Sequence, residues 1–251
     1  MKLTYLICAV AAVMTTAACN KGKEAAATDS SASVYKAVPP PADGDWTKVV
    51  IATPAGGFMM GNPTAKVHLI EYGALTCPHC QRFDEAGVGP LIDNYVKTGK
   101  VSYEFRNYLL NALDLAPSLI ARCNGPAGFF PLVRALYKDQ ANWVGKVQAA
   151  PQDQLEALQT LPNNQIAPTV AKLAGLQQWA AMRGVPEAKS AQCLSDANDV
   201  NRLVKMTEDA TTQYPDFPGT PTFILNGKMV DTKVAEAEVW PTLEAKIKGA
   251  L

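Results

Sequence analysis

The stretch Lys66 to Tyr72 (KVHLIEY) runs through Gly73 into ALTCPHC, residues 74 to 80, and this junction constrains the chain more than any other. The first part is apolar and β-branched, as a buried central strand should be. Pro78 suits the first turn of a helix, where its missing N–H goes unused. The pattern therefore predicts a strand that stops at a helix carrying Cys77 and Cys80 in its first turn. That helix is expected to pass through Gln81-Arg82-Phe83, break around Gly87 to Pro90, and resume over Leu91 to Val96. Val101 to Tyr108 (VSYEFRNY) alternates like a further strand. Residues 67–108 thus read strand–helix–strand, which implies a parallel pair joined by a crossover.

The flanking sequence fills in the order. Lys48 to Thr53 is strand-like, and Gly56-Gly57 and Gly61-Asn62-Pro63 are turn signals on either side of Phe58-Met59-Met60. Between residues 112 and 214 the period changes. Leu119, Ile120 and Cys123 fall at helical spacing, as do Leu132, Val133, Leu136 and Tyr137. So do Val170, Leu173 and Ala174, and then Val200, Leu203, Val204 and Thr207. Pro and Gly punctuate these runs, giving a block of several short helices. Thr220 to Leu225 (TPTFIL) returns to a strand, Asn226-Gly227 is a hairpin turn, and Lys228 to Asp231 pairs back. Trp240, Leu243 and Ile247 mark a closing helix.

The N-terminus sets the compartment. Met1-Lys2 is a short positive start, and Leu3 to Ala18 is apolar but too short to span a bilayer stably. Residues 1–18 read as an export signal, with Cys8 inside it. Cys19 closes Thr16-Ala17-Ala18-Cys19, which looks like a bacterial lipobox whose cysteine is lipidated. Thr16 stands where that pattern prefers Leu, so ordinary cleavage near Ala18 is the alternative. Residues 19–45 are rich in Ala, Ser, Lys and Pro and read as a flexible tether. Lys+Arg and Asp+Glu both number 23, so no basic excess recruits nucleic acid. Apolar residues make up 48% of the 251, enough for a sizeable core. With Cys8 and Cys19 set aside, the remaining cysteines are 77, 80, 123 and 193. An even count in an exported chain favours disulfides.

At a helix start, unpaired backbone N–H groups and the helix dipole both favour negative charge on the Cys77 sulfur. His79 adds a hydrogen-bond donor or a positive charge. The Cys77 thiol should therefore ionise well below its ordinary value of about 8.5. Cys80, one turn on, is shielded. Stabilising the reduced form in this way makes the disulfide the stronger oxidant. The expected chemistry is dithiol–disulfide exchange, with Cys77 forming the mixed disulfide and Cys80 resolving it. A zinc site would need a second ligand pair, and the chain has only His68 and His79 and no second C-x-x-C. Two inert core thiols are the remaining alternative.

These residues resemble the thioredoxin superfamily, and more closely the DsbA-type thiol:disulfide oxidoreductases. The carriers are Glu71-Tyr72-Gly73, Cys77-Pro78-His79-Cys80 and Gly219-Thr220-Pro221-Thr222-Phe223, with Gly61-Asn62-Pro63 and Val67 upstream. The resemblance covers the chain from about residue 48 to the end. It implies an α/β fold: a thioredoxin-like domain from residues 46–111 and 215–251, interrupted by an inserted all-helical domain over 112–214. It implies a cis Pro221 facing the active-site pair, preceded by Thr220 at a position that tunes redox behaviour, with nearby backbone free to bond an incoming peptide. It places Glu71 under the active site, where burial raises its pKa and lets it move a proton to or from Cys80. Cys123 and Cys193, both in the helical block, are candidates for a structural disulfide; two free thiols are the alternative.

The implied function is an exported oxidoreductase that needs no cofactor or metal. It would act on unfolded or partly folded exported polypeptides in the periplasm and be reoxidised by a membrane redox partner. A reductase or isomerase would use the same residues. The reading from a different class is a non-catalytic binding or chaperone module on a thioredoxin scaffold.

Overall fold

The computed structural model describes residues 35–251. The export signal, Cys8 and Cys19 lie outside the described residues. The strands are β1 (Val50–Ala52), β2 (Phe58–Met60), β3 (Val67–Gly73), β4 (Val101–Asn107), β5 (Thr222–Leu225) and β6 (Lys228–Met229). They form one sheet in the order β1-β2-β4-β3-β5-β6. Only β3 and β4 are parallel; the other neighbours are antiparallel. β3 is buried along its whole length, His68 and Glu71 included.

Pleating sends alternate residues to opposite faces. Leu69, Tyr103 and Phe105 join the main core, while Ile70, Tyr72 and Ile224 form a smaller cluster on the other face with Ala210. Between β4 and β5 lie eight helices, from Leu115–Arg122 to Ala197–Gln213. This is an α/β thioredoxin-like sheet with an inserted helical region. Cys123 and Cys193 form a disulfide with their Cα atoms 5.7 Å apart, tying the end of the Leu115–Arg122 helix to the Glu187–Leu194 helix. A final helix, Val239–Ala250, buries Leu243 and Ile247.

The structure differs from the sequence pattern at four places. Phe58–Met60, to which the pattern assigned no element, is an internal strand, paired with β1 on one side and β4 on the other. All three of its residues are buried. The helix after Cys77 does not break at Gly87 to Pro90. It runs from Pro78–Phe83 through a π-turn at Asp84–Val88, a short α-segment at Gly89–Leu91, and a second π-turn at Ile92–Val96. Wider i→i+5 turns accommodate a proline that would interrupt a strict α-helix. On the Ala197–Gln213 helix the buried stripe is Leu203, Met206 and Ala210, and Val204 is exposed. Finally, the stretch expected to be a tether contains an anchored residue. The Tyr35 hydroxyl donates to Glu104 Oε2 at 3.1 Å, and its ring packs edge-on against His68.

Candidate active site

Gly73 ends β3 where only glycine fits: a Cβ would lie 2.5 Å from the Phe105 ring. The chain then turns, with Cys77 N–H donating to Ala74 O at 3.1 Å. Cys77 caps the helix in extended geometry, Pro78 takes the first helical position, and Gln81 N–H closes the first turn onto Cys77 O at 3.2 Å. β5 lies antiparallel to β3, with Thr222 opposite Tyr72 and Phe223 opposite Glu71. That register carries the Thr220–Pro221 bond, which is cis, to the Cys77 side chain. The Cys77 thiol donates to Thr220 O at 3.2 Å.

The two sulfurs are unequal. A hydrogen bond from the Cys80 thiol, opposed by burial and helped by Thr220 and the backbone N–H groups of Cys80 and His79, pulls Cys77 down to about 5. A thiolate has no proton to give the Thr220 carbonyl and needs donors instead. The Thr220 hydroxyl, buried and without another partner, is placed to become one. Cys80 is fully buried. Burial, its hydrogen bond to Cys77 and the charges of Cys77 and Glu71 push its thiol well above the ordinary range. Burial pushes Glu71 up to about 8 against a hydrogen bond donated by the Tyr103 hydroxyl; the charges of Asp84 and Cys77 add to the rise.

The His79 ring makes no hydrogen bond to Cys77. The imidazole is exposed and lies 3.0 Å from Glu236 Oε1 through Nδ1. Its help to the sulfur comes from its backbone N–H. The sequence reading missed the braces of this loop. Asp114 accepts from Thr76 N–H at 2.8 Å and from the Thr76 hydroxyl at 3.0 Å. Gln140 Nε2 donates to Leu75 O at 2.8 Å and to Cys77 O at 3.0 Å, and the Tyr137 hydroxyl donates to Ala74 O at 3.2 Å. The inserted helices thus hold the backbone of the reactive loop. Tyr137 had been legible only as one apolar position in a helical stripe, and Gln140 gave no signal. Cys123 and Cys193 take part in none of these contacts.

A family model, Thioredoxin_4, described as thioredoxin, matches residues 53–245. The chain belongs to this thioredoxin family. A Rickettsia bellii relative, provisionally named a protein-disulfide oxidoreductase, is 28% identical over 181 residues, covering 72% of this chain and 61% of the relative. A similarly named Rickettsia prowazekii protein is 26% identical over 182 residues, covering 72% and 58%. The chain spans about three fifths of the length of these curated relatives. The solved structure of a protein-disulfide isomerase from Novosphingobium aromaticivorans is 29% identical with a TM-score of 0.70, covering 75% of this chain and 96% of that one. Wolbachia pipientis alpha-DsbA1, at 21% identity and TM-score 0.59, covers 80% and 92% and shares the fold. The thioredoxin-family scaffold and the inserted helical region thus occur together in DsbA-like structures.

Proposed function

We propose that this protein is a thiol:disulfide oxidoreductase that introduces disulfides into exported polypeptides through Cys77 and Cys80. The carrying observation is the asymmetry of the two sulfurs: Cys77 is drawn down to about 5 while Cys80 is pushed up. In the oxidised enzyme a substrate thiolate attacks Cys77 Sγ, and the Cys77–Cys80 bond breaks. Cys80 leaves and takes a proton; Glu71, held up to about 8, carries one at neutral pH. A second substrate thiolate then attacks the substrate sulfur of the mixed disulfide. Cys77 leaves as a stable thiolate, the substrate has lost two electrons, and the enzyme is a dithiol. A membrane redox partner would return it to the disulfide. The substrates would be unfolded or partly folded chains in the periplasm, with a lipid on Cys19 as the tether.

The test is the equilibrium of the Cys77–Cys80 pair with a glutathione buffer, read by mass on the active-site peptide. A strongly oxidising constant is expected. A strongly reducing one would reverse the electron flow and favour a reductase or isomerase, a reading supported by the name of the Novosphingobium protein. Absence of exchange, with Cys77→Ser behaving like the parent, would leave only a binding module.

A further inference from the structure

Beside the cysteine pair lies a cleft of about 510 Å³, bounded by the Pro78–Phe83 helix on one side and the segment leading to the C-terminal helix on the other. Phe83, Pro221, Val230 and Trp240 give it apolar walls. One carboxylate spans its lip. Glu236 Oε1 accepts from Arg82 Nε and lies 3.0 Å from His79 Nδ1, across 157 positions of sequence. Arg82 also brings its NH2 group to 3.0 Å from the same His79 nitrogen. His79 and Arg82 are three apart on one helix and so share a face.

Two details separate this arrangement from an ordinary surface ion pair. Both partners of Glu236 stand on the helix that begins at Cys77. And His79 Nδ1 meets a carboxylate and a guanidinium at equal distance, so its state selects its partner. With a proton on Nδ1 the ring donates to Glu236; with its proton on Nε2 alone it accepts from Arg82. Asp216 and Asp231 also line the cleft but make no hydrogen bond to the ring.

We propose that Glu236 is a positioning residue that parks the His79 imidazole at the cleft, away from Cys77, and so moderates the oxidising strength of the Cys77–Cys80 pair. The inference rests on the redox reading above. Without Glu236 the imidazole is free to turn toward Cys77. There it pairs with the thiolate, which favours the reduced enzyme and makes the disulfide more oxidising.

The experiment is a double-mutant cycle on the full chain: wild type, Glu236→Gln, His79→Ala and the double variant. Each is read by its equilibrium constant with glutathione and by thiolate absorbance against pH. Both side chains are exposed, so neither change opens the core. Glu236→Gln should move the equilibrium about two- to fivefold toward the reduced enzyme, the range of an exposed ion pair. It should also lower the pH at which the thiolate appears. On the His79→Ala background the same substitution should do neither. A shift of equal size with and without His79, or no shift in either, overturns the proposal. A wild-type protein that does not exchange with glutathione sinks the redox reading itself, and this proposal with it.

Discussion

Two glutamates on adjacent strands show what burial alone does and does not decide. Glu71 on β3 and Glu104 on β4 are 1% and 0% exposed. They point to opposite faces of the same sheet, and their surroundings differ in the number of donors. Glu71 accepts one hydrogen bond, from Tyr103, and rises to about 8. Glu104 accepts from Thr53 at 2.7 Å, from Tyr35 at 3.1 Å, and from Arg106 at 2.7 and 3.2 Å, with His68 Nε2 3.3 Å away. Burial pushes Glu104 up as well, yet His68 and Arg106 together hold it at about 2. Equal desolvation, opposite outcome: the supply of partners decides. The under-partnered carboxylate lies close enough to the cysteine pair for its charge to raise Cys80 and for that of Cys77 to raise it. The saturated one fixes the sheet to the N-terminal segment.

The largest expected effect falls on the saturated side. Glu104→Ala leaves Arg106 buried without its anion and should cost about 3–5 kcal/mol in urea denaturation. A loss below about 1 kcal/mol would show that water replaces the carboxylate and that the contrast is shallow. The pH dependence of stability, measured on the oxidised protein in which Cys77 does not titrate, should carry both glutamates with opposite signs. Glu71 keeps its proton to about 8 when folded but loses it near 4.5 when unfolded, so it lowers stability as pH rises between those values. The drop is on the order of 4 kcal/mol. Glu104 contributes fully above 4.5, and its contribution is lost as pH falls toward about 2. Glu71→Gln should remove the first slope and leave the second; both slopes surviving would break the comparison.

The same Glu71→Gln variant should slow exchange by on the order of 10²-fold, the scale of a lost proton-transfer group. A rate unchanged across pH would mean that Cys80 finds its proton elsewhere. The smallest effect is expected for Tyr103→Phe. It removes the one donor that lowers Glu71, costs about 1 kcal/mol, and moves the upper end of the Glu71 slope to higher pH.

What the sequence revealed divides along similar lines. Cys77, Pro78 and Cys80 were legible because a strand, a proline and a helix follow one another locally. Glu71 was legible as a carboxylate on a buried strand, but its place under the active site came only with the family resemblance. Thr220 and Pro221 required the family resemblance, since no local pattern links them to residue 77. The braces Asp114, Tyr137 and Gln140, and Glu236 at the cleft, were invisible because each acts across 38 or more positions. Tyr103 could have been found: VSYEFRNY alternates, and pairing it in parallel with β3 sets Tyr103 opposite Leu69, on the same face as Glu71. Phe58–Met60 was passed over because three residues between glycine turns carry too short a period. Tyr35 offered a faint signal as a lone aromatic within an Ala- and Ser-rich stretch.

The contact between Cys77 and Thr220 bridges 143 positions. A chain synthesised from its N-terminus therefore presents Cys77 and Cys80 long before β5 arrives, and throughout that interval the pair lacks its Thr220 contact. The whole helical region must emerge before Thr222–Leu225 can zip along β3 and bring Thr220 to the sulfur. A stretch made late completes one made early, so a copy cut short before β5 carries the cysteines without the finished tool.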